Sequence, residues 1–522
     1  MEWCAECTGW VKRHGLAIAL TASTSALVCL LFAIDGRLGL HQSVSTRYRF
    51  HAIPIAVSRL YHNHPHDYTA IKRLAIRFHD PDRNIDDQIR ETMHPDFDTG
   101  AGTYYWVADD RGLADYVFCA FRLFGSGVRS LANFWFLLLS VSMLLYTIGY
   151  WRTPAALVLP PLVLLGWCGV ASIASERLPF PNAQGYWGEA IALHESRMFD
   201  GLALLGVLHL AILAGVGGSI SCLAWMTAVL QATLLIFLYH ARSSLGWQYL
   251  ALFSLVGLRV GWWVLNRTRI ENRPTAASLV RPLFVAGLVA VSLVGLKQYQ
   301  QAVYHQNYAK EYGQRTFWHN ALMGLAYHPV LRAELPMTHC DDRDAVDLVL
   351  ASMEKNDAGL DRNVWNWQAA LNSLGNHNRF DWNRYESEAR AIYFEQWRSR
   401  PVQMAECYLY YKPRDIFGQA RIVCVRLAMG TVRGTMPEFL TASALVLTLL
   451  AVVVVGARRD QDLRLRLRSL TRVLVVVIPF SLVPGIAFYP AITTVTCLYL
   501  LGVTLVVLLL ARSIARVSNQ YK

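Results

Sequence analysis

Two adjacent carboxylates, Asp109 and Asp110, sit in the middle of residues 103–125, TYYWVADDRGLADYVFCAFRLFG, between an aromatic cluster and an apolar run. A carboxylate held at a lipid–water boundary is partly desolvated, which lifts its pKa toward the range where it takes a proton from a hydroxyl. Standing directly before Arg111-Gly112, the same pair also reads as a helix N-cap, an acceptor for unbonded N–H groups. One carboxylate can cap while the other reacts. From Leu113 on, apolar residues fall at 113, 116, 117, 120, 121 and 124, one face of an α-helix, with Asp115 and Arg122 its only charges. The expectation is a helix lying along a membrane surface with its start, and both carboxylates, facing water.

A third carboxylate, Asp35, stands just past the first apolar run, where it is either a helix-boundary residue or an interfacial base. His62, His64 and His66 alternate in HNHPH, so an extended chain would turn three imidazoles one way, toward an ion or toward solvent. Trp318, His319 and Asn320 open a second candidate, in FWHNALMGLAYHP, where an imidazole and an amide suit a phosphate or a sugar hydroxyl or else pack against the adjacent aromatics. Arg315, Arg400, Lys412 and Arg414 are cations able to hold a lipid phosphate. Singly, each also reads as snorkelling to headgroups.

These residues must be positioned by membrane helices. Of the 522 residues, 54% are hydrophobic and 16% charged, against roughly a quarter charged in globular domains. Apolar runs fall at 15–34, 131–150, 154–174, 201–216, 217–239, 246–265, 277–296, 437–456, 470–489 and 491–511, each about the length that crosses a bilayer. The expected fold is an all-α polytopic membrane protein with about ten spans and two large extracytoplasmic, mainly helical regions. Its divisions are 1–34 (tail and first span), 35–130 (outer loop with an interfacial helix), 131–296 (six-helix bundle), 297–436 (outer helical region) and 437–522 (three spans and a tail). The break at Gly215, Gly217 and Gly218 is the weakest boundary. Short connections carrying Arg152, Arg267, Arg269, Arg273, Arg458 and Arg468 fall on one side, which puts both termini in the cytoplasm.

The net charge of +12 is therefore a topology signal and not a nucleic-acid surface. Cys4 and Cys7 form a CxxC with no second pair at zinc-finger spacing, while Cys340, Cys407 and Cys424 leave one disulfide open, its pairing unread. No GxxxxGK[ST], HExxH or strand-borne GxGxxG is present. His209 and Gln231 lie deep in apolar runs, and interhelical hydrogen bonds account for them. A chain of buried Asp, Glu or Lys, which an ion-coupled transporter needs, is missing.

The late segment YFEQWRSRPVQMAECYLYYKP resembles an interfacial helix of bacterial envelope membrane proteins of unknown role, and the stretch YYWVADDRGLADYVFCAFRLFGSGVRSLANFWFLL, on a layout of one span, a long outer loop and many further spans, resembles the GT-C class of membrane glycosyltransferases. That resemblance implies inverting transfer from a lipid-linked sugar donor, a polyprenyl phosphate, to an envelope acceptor. Asp109, Asp110 or Asp35 would be the base, and Arg122, Arg315 or Lys412 would stabilise the leaving phosphate. Membrane lipids are the other implied partners, and a divalent metal ion is the one cofactor to consider. In that class the key carboxylate follows the first span closely, as Asp35 does, so the choice of base stays open. Two other readings stand beside it: a polysaccharide polymerase or ligase built on region 297–436 around His319, and a non-enzymatic transporter or assembly protein of an envelope polysaccharide pathway.

Overall fold

The computed structural model describes residues 2–42, 44–80, 83–105, 110–174, 192–216, 221–266, 277–305, 317–338, 340–357, 359–360 and 381–489. It is 83% helical, and the only strands among the described residues are two of three residues each. The architecture is that of an all-α membrane protein.

The first helix, α1 (Glu2–Leu38), carries the apolar stretch His14–Leu38. The first hydrophilic region follows as a π-helical turn at Tyr48–Ala52, α2 (Ile53–Tyr61), β1 (Thr69–Ile71), α3 (Lys72–Phe78), α4 (Ile85–Thr92), β2 (Thr103–Tyr105) and α5 (Leu113–Phe124). The two strands pair antiparallel, Thr69 opposite Tyr105 and Ile71 opposite Thr103. The bundle continues with α6 (Val128–Tyr150), α7 (Leu159–Ala174), α8 (Phe199–Gly215), α9 (Cys222–Ala241), α10 (Gly246–Asn266) and α11 (Ala277–Val303). The second hydrophilic region holds α12 (Phe317–Met323), α13 (Pro329–Glu334), α14 (Asp342–Asn356), α15 (Trp382–Ser399), α16 (Pro401–Glu406) and α17 (Lys412–Val432). Two further long helices, α18 (Pro437–Arg459) and α19 (Gln461–Ala487), rejoin the bundle.

Eight of these helices are long and apolar enough to cross a membrane, and they coincide with eight of the ten expected runs. The run at 201–216 is α8, whose 17 residues are all buried and which reaches about 26 Å at 1.5 Å per residue. The run at 491–511 lies outside the described residues. The glycine break is real: α8 stops at Gly215, and α9 starts at Cys222, where the Ser221 hydroxyl accepts the Ala224 N–H.

Among apolar helices in lipid, close approach and interhelical hydrogen bonds replace the hydrophobic drive. A Cβ on Gly149 would lie 2.7 Å from Thr227 and 2.8 Å from the His209 ring, and one on Gly201 2.5 Å from Trp167. Gln231 and Ser142 exchange two bonds, Gln231 Nε2 to the Ser142 carbonyl at 2.7 Å and Ser142 Oγ to Gln231 Oε1 at 3.1 Å. His209 Nε2 meets the Ala224 carbonyl at 3.2 Å. These two deep polar residues are thus interhelical ties.

The two hydrophilic regions are built differently. Tyr48, Ile53, Leu74, Ile89 and Tyr104 of the first belong to one continuous apolar core with the bundle. The second has a core of its own, around Leu322, Leu325, Val349, Tyr385 and Met404. Its helical character, expected for 297–436, is present in α12 to α17, and 361–380 lies outside the described residues. Helix α5 corrects one expectation. Its apolar face is as predicted up to Phe121, but it is buried against α2 and α6 and does not rest on a membrane surface. Phe124, expected on that face, is exposed beside Arg122 and Leu123.

Candidate functional site at one end of the bundle

Asp110 does not cap α5. The N-cap is Gly112, without a side-chain bond, and only the Asp110 main-chain carbonyl takes the Leu113 N–H, at 3.0 Å. The carboxylate points elsewhere and is 2% exposed, not turned to water. Its Oδ2 accepts from Arg242 Nη1 at 2.6 Å and from the Arg47 guanidinium, and its Oδ1 from the Ser243 N–H at 2.8 Å and hydroxyl at 3.0 Å. The turn after α9 makes this possible: Arg242 leaves the helix in an extended conformation, φ −147° and ψ 102°, and swings Ser243 under Asp110. Burial alone would raise the carboxyl pKa. The Arg242 and Arg47 charges and the Ser243 N–H outweigh it and hold the group well below the usual carboxylate range. A group so held is a poor proton acceptor, which weighs against Asp110 as a base.

One turn on, Asp115 anchors a second set. Oδ1 accepts from Arg59 Nη1 at 2.8 Å, and Oδ2 from the Tyr68 hydroxyl and from His240 Nε2 at 3.1 Å. His240 Nδ1 lies 3.0 Å from the Gln300 amide nitrogen, which can only donate, so Nε2 carries the proton given to Asp115. Burial would raise the Asp115 pKa, but the bonds from His240, Tyr68 and Arg59 lower it to about 2. Tyr68 has φ 60°, a left-handed backbone that costs a bulky residue about 1–3 kcal/mol. It is held there by burial between Tyr304 and His240, at ring distances of 4.7 and 5.7 Å. The water-facing edge of this set is His66, its side chain 39% exposed, with Nε2 2.9 Å from the Tyr299 hydroxyl and 3.6 Å from Asp115 Oδ1. Partial burial and the Arg59 charge lower its pKa against the pull of Asp115 and Asp67, so the imidazole is neutral at pH 7. Arg111 covers the Tyr304 ring at 5.0 Å. Behind them all, Asp200 at the start of α8 accepts the Trp247 indole N–H at 3.3 Å.

The HNHPH imidazoles diverge. His62 bonds the Thr92 carbonyl, His64 the Thr69 hydroxyl and His66 Tyr299. Among the described residues no group of three His, Cys, Asp or Glu side chains converges as a metal site. Cys340, Cys407 and Cys424 are free thiols.

The remaining candidates fall elsewhere. Asp109 and Arg315 lie outside the described residues. Asp35 is buried inside α1, not beyond it, with His41 Nδ1 at 3.3 Å, and shares no partner with Asp110. Arg122 is exposed on α5. His319 spends both ring nitrogens inside the second region, Nδ1 on the Tyr385 hydroxyl at 2.7 Å and Nε2 on Asp342 at 3.0 Å. Glu386 accepts the Trp318 and His319 N–H groups and so caps α12, which Asn320 continues. Trp318 packs on Tyr393 and Phe394. Lys412 is fully buried, Nζ 3.1 Å from the Ile486 carbonyl and 4.1 Å above the Tyr408 ring, and burial lowers its pKa to about 8. Arg414 is exposed, 5.8 Å from the Tyr410 ring.

His319 and Asp110 are thus in separate clusters, and Phe488 and Tyr489, directly after α19, lie between them. Phe488 meets Phe317 edge to face at 5.1 Å and its carbonyl leaves no room for a Cβ on Gly324, while Tyr489 lies close enough to Arg242 to interact with its charge. His319→Phe, which keeps the ring and removes both bonds, is expected to lower the stability of the second region by about 1–3 kcal/mol. The fluorescence midpoint of thermal unfolding checks this; an unchanged midpoint would leave His319 free for another task.

Arg47, Arg59, Tyr68, His240, Arg242 and Gln300 were not legible as site residues. A weak signal exists only for HARSS (240–244), a polar break between two apolar runs. No protein-family model, no curated protein and no solved structure matches this chain.

Proposed function

We propose that this chain is a multi-pass membrane transferase that passes a sugar from a lipid-phosphate donor to an acceptor hydroxyl, at the bundle end where α5, α9 and α11 meet. Charge supports the reading. Four guanidiniums, those of Arg47, Arg59, Arg111 and Arg242, gather here, and Arg47, which shares Asp110 with Arg242, keeps its side chain 36% exposed. A donor phosphate entering from lipid would meet Arg47 through charge-assisted bonds. The proposed setting is the inner membrane, with ten spans, both termini cytoplasmic and both hydrophilic regions outside, as the Arg-rich short connections suggest.

In this reaction the acceptor oxygen attacks the anomeric carbon. The bond to the lipid phosphate breaks, and its electron pair leaves with the phosphate, which Arg47, partly exposed, steadies. The acceptor proton goes to Nδ1 of His66, whose Nε2 faces Asp115 and Tyr299; Asp115 then stabilises the imidazolium. Asp110 is a positioning residue that holds Arg47 and Arg242 in place. The polymerase or ligase reading loses its central residue, since His319 is fully bonded. One observation favours the non-enzymatic assembly reading: both Asp110 oxygens are satisfied within the protein, as a structural clasp requires.

Two measurements decide. In nanodiscs, polyprenyl phosphate is expected to raise the thermal midpoint while neutral polyprenol does not, and Arg47→Gln should cancel the difference. Equal effects of the two lipids would end the donor reading. With a polyprenyl-phosphate sugar, His66→Ala should reduce turnover about 10²–10⁴-fold with the fold intact. Wild-type activity should be level above pH 6.5 and fall as pH drops through the lowered His66 pKa.

A further inference from the structure

Helix α17 ends at Val432, and Pro437 opens α18, a helix long and apolar enough to span a bilayer. The few residues between them reach about 17 Å at most, so the end of α17 stays close to where α18 enters the membrane. Its late residue Leu427 also packs beside Gly169 of α7, as does Phe439 of α18.

One face of α17 is left uncovered by the described residues. Arg414, Phe417, Arg421, Val425, Met429 and Val432 follow at steps of three and four residues and form a single stripe. Its apolar members are well exposed: Phe417 56%, Val425 46%, Met429 46% and Val432 87%. Leu409 and Tyr410, 80% and 54% exposed in the preceding turn, extend the patch. The opposite face is occupied: Ile416 is buried, and Gly430 admits Met436 so closely that a Cβ would lie 2.5 Å from it. A contiguous apolar patch of this kind marks an interaction surface. Two arginines within the stripe, toward its N-terminal half, select among occupants. Their stems can lie on apolar surface while the guanidiniums reach an anionic layer. Asp415, the nearest acid, sits about 100° around the helix from Arg414.

We propose that α17 is an interfacial helix whose stripe rests in the headgroup layer and prefers anionic phospholipid. The C-terminal apolar half sinks toward the acyl chains, and Arg414 and Arg421 engage headgroup phosphates. The surface is independent of the transfer site.

The full-length protein, with benzoylphenylalanine in place of Phe417 or Val425, is photolysed in nanodiscs of mixed phosphatidylcholine and phosphatidylglycerol, and the adducts are weighed. The expected product is a lipid adduct enriched in phosphatidylglycerol. Each of Arg414→Gln and Arg421→Gln should cut that enrichment about fivefold, the equivalent of about 1 kcal/mol per basic residue near an anionic surface. A cross-linked dimer would assign the face to a second copy. Absence of adducts would assign it to water, and equal adducts of both lipids in the wild type would remove the anionic preference. Each of these three results overturns the proposal.

Discussion

Asp110→Asn is expected to destabilise the protein by about 3–5 kcal/mol, because it leaves the buried Arg242 guanidinium, with the partly exposed Arg47 beside it, without its carboxylate. Arg242 is buried, bonded to Asp110 at 2.6 Å, and Arg47 reaches the same oxygen. The loss would come from unpaired charge more than from the missing bonds. The double variant Asp110→Leu with Arg242→Met should therefore be less damaging than Asp110→Leu alone, since neutralising both partners removes the uncompensated ion. The pH dependence follows from the depressed carboxyl pKa. A group whose folded-state pKa lies below its unfolded value of about 3.9 contributes stability that is complete above that value and lost as pH falls through the folded one. The wild-type thermal midpoint should thus fall below about pH 4, and that of Asp110→Asn should fall less. If Asp110→Asn instead kept the wild-type midpoint and lost only turnover, Asp110 would be the base and the clasp assignment would be wrong.

Gly112→Ala should be as severe, for a steric reason. Its backbone, φ −62° and ψ −9°, suits any residue, so conformational freedom is not what glycine supplies there. It supplies contact: an added Cβ would lie 2.4 Å from His240 Cδ2 and 2.5 Å from the His240 carbonyl carbon. Backbone on both sides cannot yield by rotating a side chain, so α5 and the end of α9 must part. Ser243 would be drawn off Asp110 and His240 off Asp115 together. Overpacking costs about 1–3 kcal/mol where side chains adjust, and this junction should reach or pass the upper end. Hydrogen exchange at 240–245 should quicken in the variant along with a lower midpoint. Gly125→Ala is the control: at φ 85° and ψ 165°, with nothing within 4 Å, it should show only the local cost of about 1–3 kcal/mol for a backbone region nearly reserved to glycine. Equal exchange at 240–245 in both variants would mean that Gly112 does not set the site.

Much of the scaffold was written in the chain itself. A membrane helix must satisfy its own backbone and present apolar side chains throughout, so it leaves a continuous run that needs no partner to be recognised. That is why eight runs became membrane-length helices, and why the break after Gly215 fell where it was expected. The face of α5 was legible to Phe121 for the same local reason, as helical spacing alone decides which side chains lie together. What covers that face was not legible, because a buried helix and a helix on a membrane surface share one period. The surroundings of Asp35 and Asp110, the burial of His319 and the partners of Asp115 were likewise left to the tertiary structure. Asp110 meets Arg242 across 132 positions of chain, and Asp115 meets His240 across 125. Those meetings depend on the extended turn at Arg242 and on the bare backbone of Gly112. Polar side chains acquire their roles from partners that only the packed fold supplies, so residue type and spacing can nominate a carboxylate but cannot say whether it reacts or binds the fold together.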